Sequence, residues 1–279
     1  MCPESDLEQM LLRQVDEIKR EHPYWDDPEQ LSRVLGIRLV ASGLGARREG
    51  AALTNIIAVD PWAGGPSRRR FTLYHEIMHQ LIKRNDVLYS ALHDQYRADD
   101  DFERMRERLC NLGAAEFLVP RAHVRNAIND GGFSLRLLPE LIATTSASRT
   151  AICVQLVLCA SHRCIGIVCR LAEVVPHDVE TLFALDISAP VLHVETAASS
   201  ARMMYRVTRG TRIAPGHLLY DAWHSPEGEL IMGTAQIPFR RVQKPWEVDC
   251  EAMRIGEQLF ALFHAERPLQ VAKEQLSLF

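Results

Sequence analysis

Arg70-Phe71-Thr72-Leu73-Tyr74-His75-Glu76-Ile77-Met78-His79 is the stretch on which the reading of this 279-residue chain turns. It holds the pattern His-Glu-x-x-His inside a run of helical periodicity. Tyr74, Ile77, Met78, Leu81 and Ile82 recur at spacings of three and four and form an apolar stripe that would bury one side of the helix. Residues four apart lie one above the other on a helix, so His75 and His79 can turn both imidazoles toward one metal ion. Glu76 sits about 100° further round, outside that ligand pair but within reach of a water held by the same ion.

Two histidines and an intervening glutamate in this order are the zincin arrangement. Zinc lowers the pKa of its water to about 7, so that a neighbouring carboxylate can take the proton and the oxygen can attack a carbonyl. Such a site needs a third protein ligand and an open fourth position. A helix expected over Phe102 to Phe117 offers Glu103, Glu107 and Glu116 for the third place.

Working toward the N-terminus, Asp60-Pro61 and Gly64-Gly65-Pro66 form a turn into the metal-binding helix. Ile37 to Val40 and Asn55 to Val59 read as short strands. Asp27-Pro28-Glu29-Gln30 opens a helix running to about Leu35, with Asp27 as N-cap and Gln30 placed to close a capping box. Ser5 to Glu21 carries Leu7, Met10, Leu11, Val15 and Ile18 at helical spacing.

Toward the C-terminus, the polar run Asn85 to Asp101 reads as a loop or lid beside the cleft. After Phe117, segments 121 to 130, 134 to 143 and 147 to 160 read as helices divided by Gly131-Gly132 and Thr144-Thr145-Ser146. Beyond Ser161, Val and Ile rise and Pro and Gly turns recur. Ile165 to Leu171, Val191 to Glu195, Leu218 to Trp223 and Leu230 to Ile237 read as strands, and Val248 to Ala265 as a closing amphipathic helix. The fold expected is α+β: a helix-rich zincin-like domain with a small sheet over 1–160, then a mixed α/β domain with an antiparallel sheet over 161–268, then a tail, 269–279.

Composition narrows the class. A chain with 47% hydrophobic and 24% charged residues is expected to fold with real cores. The net charge of −4 supplies no global basic field for nucleic acid, and Arg68-Arg69-Arg70 and Arg104/Arg106/Arg108 read as solvated faces. Seven cysteines without a Cys-x-x-Cys pair, and no basic-then-apolar leader, point to a reduced cytoplasm. The longest apolar stretch, near Thr150 to Ala160, is too short to span a bilayer, so no membrane partner is expected. Cys159, Cys164 and Cys169 lack metal-site spacing and read as core, while His93 and His123 read as surface groups.

Arg70-Phe71-Thr72-x-x-His75-Glu76-x-x-His79, followed by Glu107-x-x-Cys110-Asn111-x-x-Ala114-Ala115-x-Phe117-Leu118-Val119-Pro120, resembles the ImmA/IrrE metallopeptidase family over roughly residues 25 to 160. The resemblance implies Zn2+ held by His75, His79 and Glu107, with Glu76 as general base and Glu103 as the alternative ligand. It further implies a regulatory endopeptidase that cleaves a helix-turn-helix (XRE-type) repressor under stress or DNA damage, releasing a repair, mobile-element or defence operon. Single-stranded DNA is the activator to test. Stress-response members pair the peptidase with a GAF-like module, which 161–268 would supply. The segment Phe133 to Ala160 has a helix-turn-helix look without a basic recognition helix, and reads as scaffold.

Several positions depart from the family pattern. Ile77-Met78 replaces Leu-Gly, Gly113 stands where an aromatic is usual, and Cys110 replaces an alanine. Cys110 lies three residues after Glu107 on a similar helix face, and two readings are open: a buried thiol packing like alanine, or an inhibitory fourth ligand that closes the site. The ending Gln275-Leu276-Ser277-Leu278-Phe279 is similar to the motif by which bacterial proteins bind the DNA sliding clamp; a terminal segment packing on its own domain is the other reading. A rival from another class is a non-enzymatic regulator, whose closed zinc site supports sequestration of a partner.

Overall fold

The computed structural model describes residues 6–42, 50–53, 55–60, 65–172, 190–240 and 246–265. Contacts divide the chain into two compact units. One runs to His123 and takes back Ile142–Ala151; the other comprises Val124–Leu141 and the chain from Ile152 on. The C-terminal residues Gln275, Leu276, Ser277, Leu278 and Phe279 lie outside the described residues.

In the first unit, helix α1 (Asp6–Glu21) buries Leu7, Leu11, Val15 and Ile18, the stripe expected from their spacing. Helix α2 (Pro28–Val34) starts at the expected cap: the Asp27 carboxylate accepts from the backbone N–H groups of Glu29 and Gln30, and Gln30 Nε2 donates to the same carboxylate at 3.0 Å, a bond to the cap's side chain in place of the backbone bond of a capping box. A cap of this kind is worth about 0.5–2 kcal/mol. Strands β1 (Arg38–Ala41), β2 (Gly50–Leu53) and β3 (Ile56–Val59) make a small sheet in the order β1-β3-β2, with β1 parallel and β2 antiparallel to β3.

Helix α3 (Pro66–Arg84) carries the His-Glu-x-x-His pattern between Gly65-Pro66 and Asn85. Its N-terminal half is fixed to the turn before α2. Arg70 Nη2 donates to Asp26 O, Tyr74 Oη donates to Trp25 O at 2.9 Å, and Arg69 pairs with Glu29 at 3.2 Å. At its far end, Arg84 donates to Leu35 O and to Asn55 Oδ1, each at 2.7 Å. Asn55 adopts φ +56, a left-handed conformation that asparagine tolerates, and so turns β2 into β3.

Residues Asn85 to Asp101 do not form the expected loop. Helix α4 (Asp86–Gln95) occupies most of them, because Asn85 caps it by accepting from Leu88 N–H, and Leu88 and Leu92 bury at i, i+4. Helix α5 (Asp99–Leu118) follows, buries Phe102, Leu109, Ala114 and Phe117, and packs against both α1 and α3. Tyr74 stacks on Phe117 with ring centroids 5.0 Å apart. The arginines of α5 are paired: Arg104 with Asp101, Arg106 with Glu103, and Arg108 with Glu8 at 2.6 Å. Glu116 is buried and binds Lys19 at 3.0 Å, while accepting from the backbone N–H of Arg121 at the start of α6 (Arg121–Gly131).

In the second unit, strands β4 (Cys164–Ala172), β5 (Val191–Ser199), β6 (Leu230–Gln236), β7 (Glu247–Ile255) and β8 (Gln258–His264) form an antiparallel sheet in the order β5-β4-β8-β7-β6. Two expectations are corrected here. Val248 to Ala265 is the β7–β8 hairpin rather than a helix. Gly256, at φ +61, takes the first place of its two-residue turn, and the apolar run Leu259 to Phe263 is buried throughout. A run buried on both faces has no alternation to separate it from a buried helix.

Leu218 to Trp223 lies in helix α9 (Leu218–His224) rather than a strand. Its cap is the uncommon His217, whose Nδ1 accepts from Leu219 N–H while Nε2 donates to Gln236 O at 2.8 Å. Between α6 and β4 lie a 3-10 turn (Leu135–Leu137), α7 (Leu138–Thr144) and α8 (Arg149–Leu158). Glu251 on β7 accepts from Ser134 Oγ and from Leu135 N–H, each at 2.7 Å, and so caps that turn.

Candidate metal centre

The site is built from two helices whose i, i+4 pairs face each other. On α3, His75 and His79 place their Nε2 atoms 3.1 Å apart. On α5, Glu107 lies opposite both: Oε2 is 3.2 Å from His75 Nε2 and Oε1 is 3.2 Å from His79 Nε2. Among the described residues these three form the group of histidine, cysteine, aspartate or glutamate side chains close enough to share one ion. The histidines are about 15% exposed against 48% for Glu107, so the centre opens to solvent on the α5 side.

The donor set fits a divalent cation. Asn111, four residues beyond Glu107, presents Oδ1 to His75 Nδ1 at 3.0 Å. A carbonyl oxygen only accepts, so Nδ1 carries a proton, and the neutral ring of that tautomer offers its lone pair at Nε2. Burial, and then the charges of His75 and Arg106, lower the pKa of His79 to about 4, which leaves its ring neutral near neutral pH. Three contacts of 3.1–3.2 Å converge on one point. Ligands at about 2.0–2.2 Å in a tetrahedral zinc site stand about 3.3–3.6 Å apart, within a few tenths of an ångström of the spacing found.

Glu76 is buried, on a different side of α3 from the histidine pair. Cys110 is fully buried and does not join the three-residue group. Burial first, and then the Glu107 carboxylate, push its thiol well above the ordinary range; Arg106 opposes them, and Glu76 and Glu103 add lesser pushes upward. Glu103 also stays out of the group and pairs with Arg106. His93 stacks on Phe102 at 4.2 Å, and His123 contacts Thr144 Oγ1 at 3.0 Å. Cys164 and Cys169 are buried core thiols, while Cys159 is partly exposed. No described helix is long and apolar enough to cross a membrane. Asn111 drew no reading of its own from the sequence, although its i+4 spacing from Glu107 was the available signal.

Residues 32–157 match the IrrE N-terminal-like domain of the Peptidase_M78 family. That match and the relatives below support a place for the segment in the ImmA/IrrE family. The chain is similar to the radiation response metalloprotease IrrE of Deinococcus deserti, with 33% identity over 54% of this chain and 52% of that one. It is also similar to the radiation response metalloprotease IrrE of Deinococcus radiodurans, with 29% identity over 68% of this chain and 57% of that one. It thus spans little more than half the length of these curated relatives. Among solved structures, a Mycobacterium tuberculosis transcriptional regulator aligns over 94% of this chain and 76% of that one, with a TM-score of 0.56 and 17% identity, a likeness of fold. ImmA/IrrE is a metallopeptidase family, and the His75, His79 and Glu107 cluster stands inside the matched segment.

Proposed function

We propose that this chain, through its IrrE N-terminal-like domain, is a zinc-dependent regulatory endopeptidase that cleaves a partner helix-turn-helix repressor in response to stress or DNA damage and so derepresses its operon. The observation that carries the reading is the convergence of His75, His79 and Glu107 from two helices on one ion-sized space. When bound there, zinc supplies a Lewis acid that polarises a peptide carbonyl and acidifies a water.

The chain's own residues do the rest. His75 and Glu107 hold their donor atoms toward the common point from opposite helices. Glu76 follows the first histidine directly, and the buried carboxylate takes the proton from the attacking water and returns it to the leaving amine. The α5 side, where Glu107 is half exposed, is the side open to an extended substrate. Residues 161–268 are read as a GAF-like sensor or docking module, single-stranded DNA as an activator, and Gln275 to Phe279 as a sliding-clamp motif. These assignments rest on sequence resemblance and lie outside the matched segment 32–157.

The test is cleavage of an XRE-type repressor by the zinc-loaded chain. Glu76→Gln should keep zinc and lose cleavage; cleavage at the wild-type rate by Glu76→Gln would refute the assignment.

A further inference from the structure

The histidine pair on α3 is met by a pair at the same spacing on α5. Glu107 addresses the Nε2 edges of both rings, and Asn111 addresses the opposite edge of His75. Both α5 residues lie four apart on one helix face, so the groups that touch His75 on its two sides move as one rigid element. We propose that Asn111 is a positioning residue of the metal centre: its amide oxygen fixes the His75 ring and the tautomer that turns a lone pair toward the ion. This rests on the zinc-site reading above, and adds a residue to which that reading gives no role.

First, the 3.0 Å contact to Oδ1 admits one arrangement of the ring proton, because an amide oxygen has no proton to give. Without that acceptor the imidazole can carry its proton on Nε2, and it must then give up that arrangement before it can bind metal.

Second, His75 has a second torsion that turns the ring about the Cβ–Cγ bond, and that torsion has a broad energy well. A hydrogen bond on Nδ1 narrows it. The flanking Phe71 ring lies 6.1 Å away at 34° and supplies no hydrogen bond. Third, Asn111 is exposed while the histidine it holds is mostly buried, so the amide is a surface group whose loss removes little packing. A role in folding alone would show in stability; a role in positioning shows in metal affinity. Outer partners of metal-bound histidines typically carry ~10–100-fold in affinity.

The experiment compares the full chain with Asn111→Ala, Asn111→Leu and Asn111→Asp. Zinc affinity is read by competition with a chromophoric chelator, and the metal-free proteins are melted alongside. The expectation is a loss of about 10–100-fold for Asn111→Ala and Asn111→Leu, unchanged melting of the metal-free forms, and affinity retained in Asn111→Asp, which keeps an acceptor. Wild-type affinity in both Asn111→Ala and Asn111→Leu would overturn the proposal.

A second readout needs no zinc. The long-range nitrogen–proton spectrum of the metal-free protein, with His75 assigned by comparison with His75→Gln, should show the Nδ1–H tautomer in wild type and a mixture in Asn111→Leu. An identical His75 pattern in Asn111→Leu would also overturn it. Because this spectrum is recorded without metal, failure of the wild-type chain to bind zinc would count against the zinc-site reading and leave Asn111 still tested.

Discussion

The side chain of Met78 occupies the space that a Cβ on Gly113 would need: the missing atom would lie 2.7 Å from Met78 Sδ and 2.8 Å from its Cγ. Both residues depart from the family pattern, which has glycine at the first position and an aromatic at the second. The two departures touch each other across the α3–α5 contact. Here the large side chain stands on α3 and the glycine on α5 makes room for it.

Gly113→Ala should therefore destabilise the first unit by about 1–3 kcal/mol, as overpacking does, despite the better helix propensity of alanine. Met78→Ala should cost stability by leaving a cavity. The double variant should be more stable than the sum of the two losses predicts. Denaturant unfolding of the four proteins measures the coupling, and strict additivity would show that the pair do not share the space.

Glu116 stands on α5 more than two turns beyond Glu107 and does different work. It is buried against Lys19 at 3.0 Å, and it also faces Arg121, through the backbone N–H and, at 3.8 Å, through Nε. Removing one member of a buried pair strands the other, at about 3–5 kcal/mol. Glu116→Ala should lower the melting temperature markedly yet leave the zinc stoichiometry of the folded fraction unchanged. Loss of zinc at temperatures where the variant is folded would mean that Glu116 acts on the centre.

Glu251 predicts an acid limb to stability in the second unit. Burial would raise its pKa, but the adjacent His264, the Ser134 hydroxyl and the Leu135 N–H, with the charge on His264, together hold it below the ordinary 4.5. His264 in turn contacts His162 at 3.2 Å. A carboxylate with a depressed native pKa contributes stability that is complete above 4.5 and is lost as the pH falls through the lower native value. Glu251→Gln should cost about 1–3 kcal/mol at neutral pH and flatten the dependence below the carboxylate range. Amide exchange of β7 and β8, compared at neutral pH and near pH ~3.5, checks both; equal acid sensitivity in the variant would remove Glu251 as its source.

Much of the first unit was legible because its signals are local. Asp27 with Gln30 announced a capped helix, the stripe from Leu7 to Ile18 announced its buried face, and His75-Glu76-x-x-His79 announced a ligand pair. What stayed hidden depended on partners distant in sequence. Helix α4 is short and polar, and only Leu88 and Leu92 mark its inner side. Strand β8 is apolar on both faces from Leu259 to Phe263, so its period is lost, and α9 starts from a histidine cap that no propensity favours. At the metal centre, the identity of the third carboxylate among Glu103, Glu107 and Glu116 depends on how α5 is rotated against α3. Glu107 faces the histidines, Glu103 turns to Arg106, and Glu116 turns to Lys19. Spacing alone could not resolve that rotation.

The central claim is that three residues from two helices hold one zinc ion, and Glu107 is the member brought in from outside the motif. The most direct measurement is equilibrium zinc binding to the full chain and to Glu107→Gln, which keeps the size of the side chain and removes its charge. The account predicts one tightly bound zinc per wild-type chain and a fall of at least about 100-fold in affinity for the variant, beyond what an outer partner carries. Wild-type affinity in Glu107→Gln would contradict it.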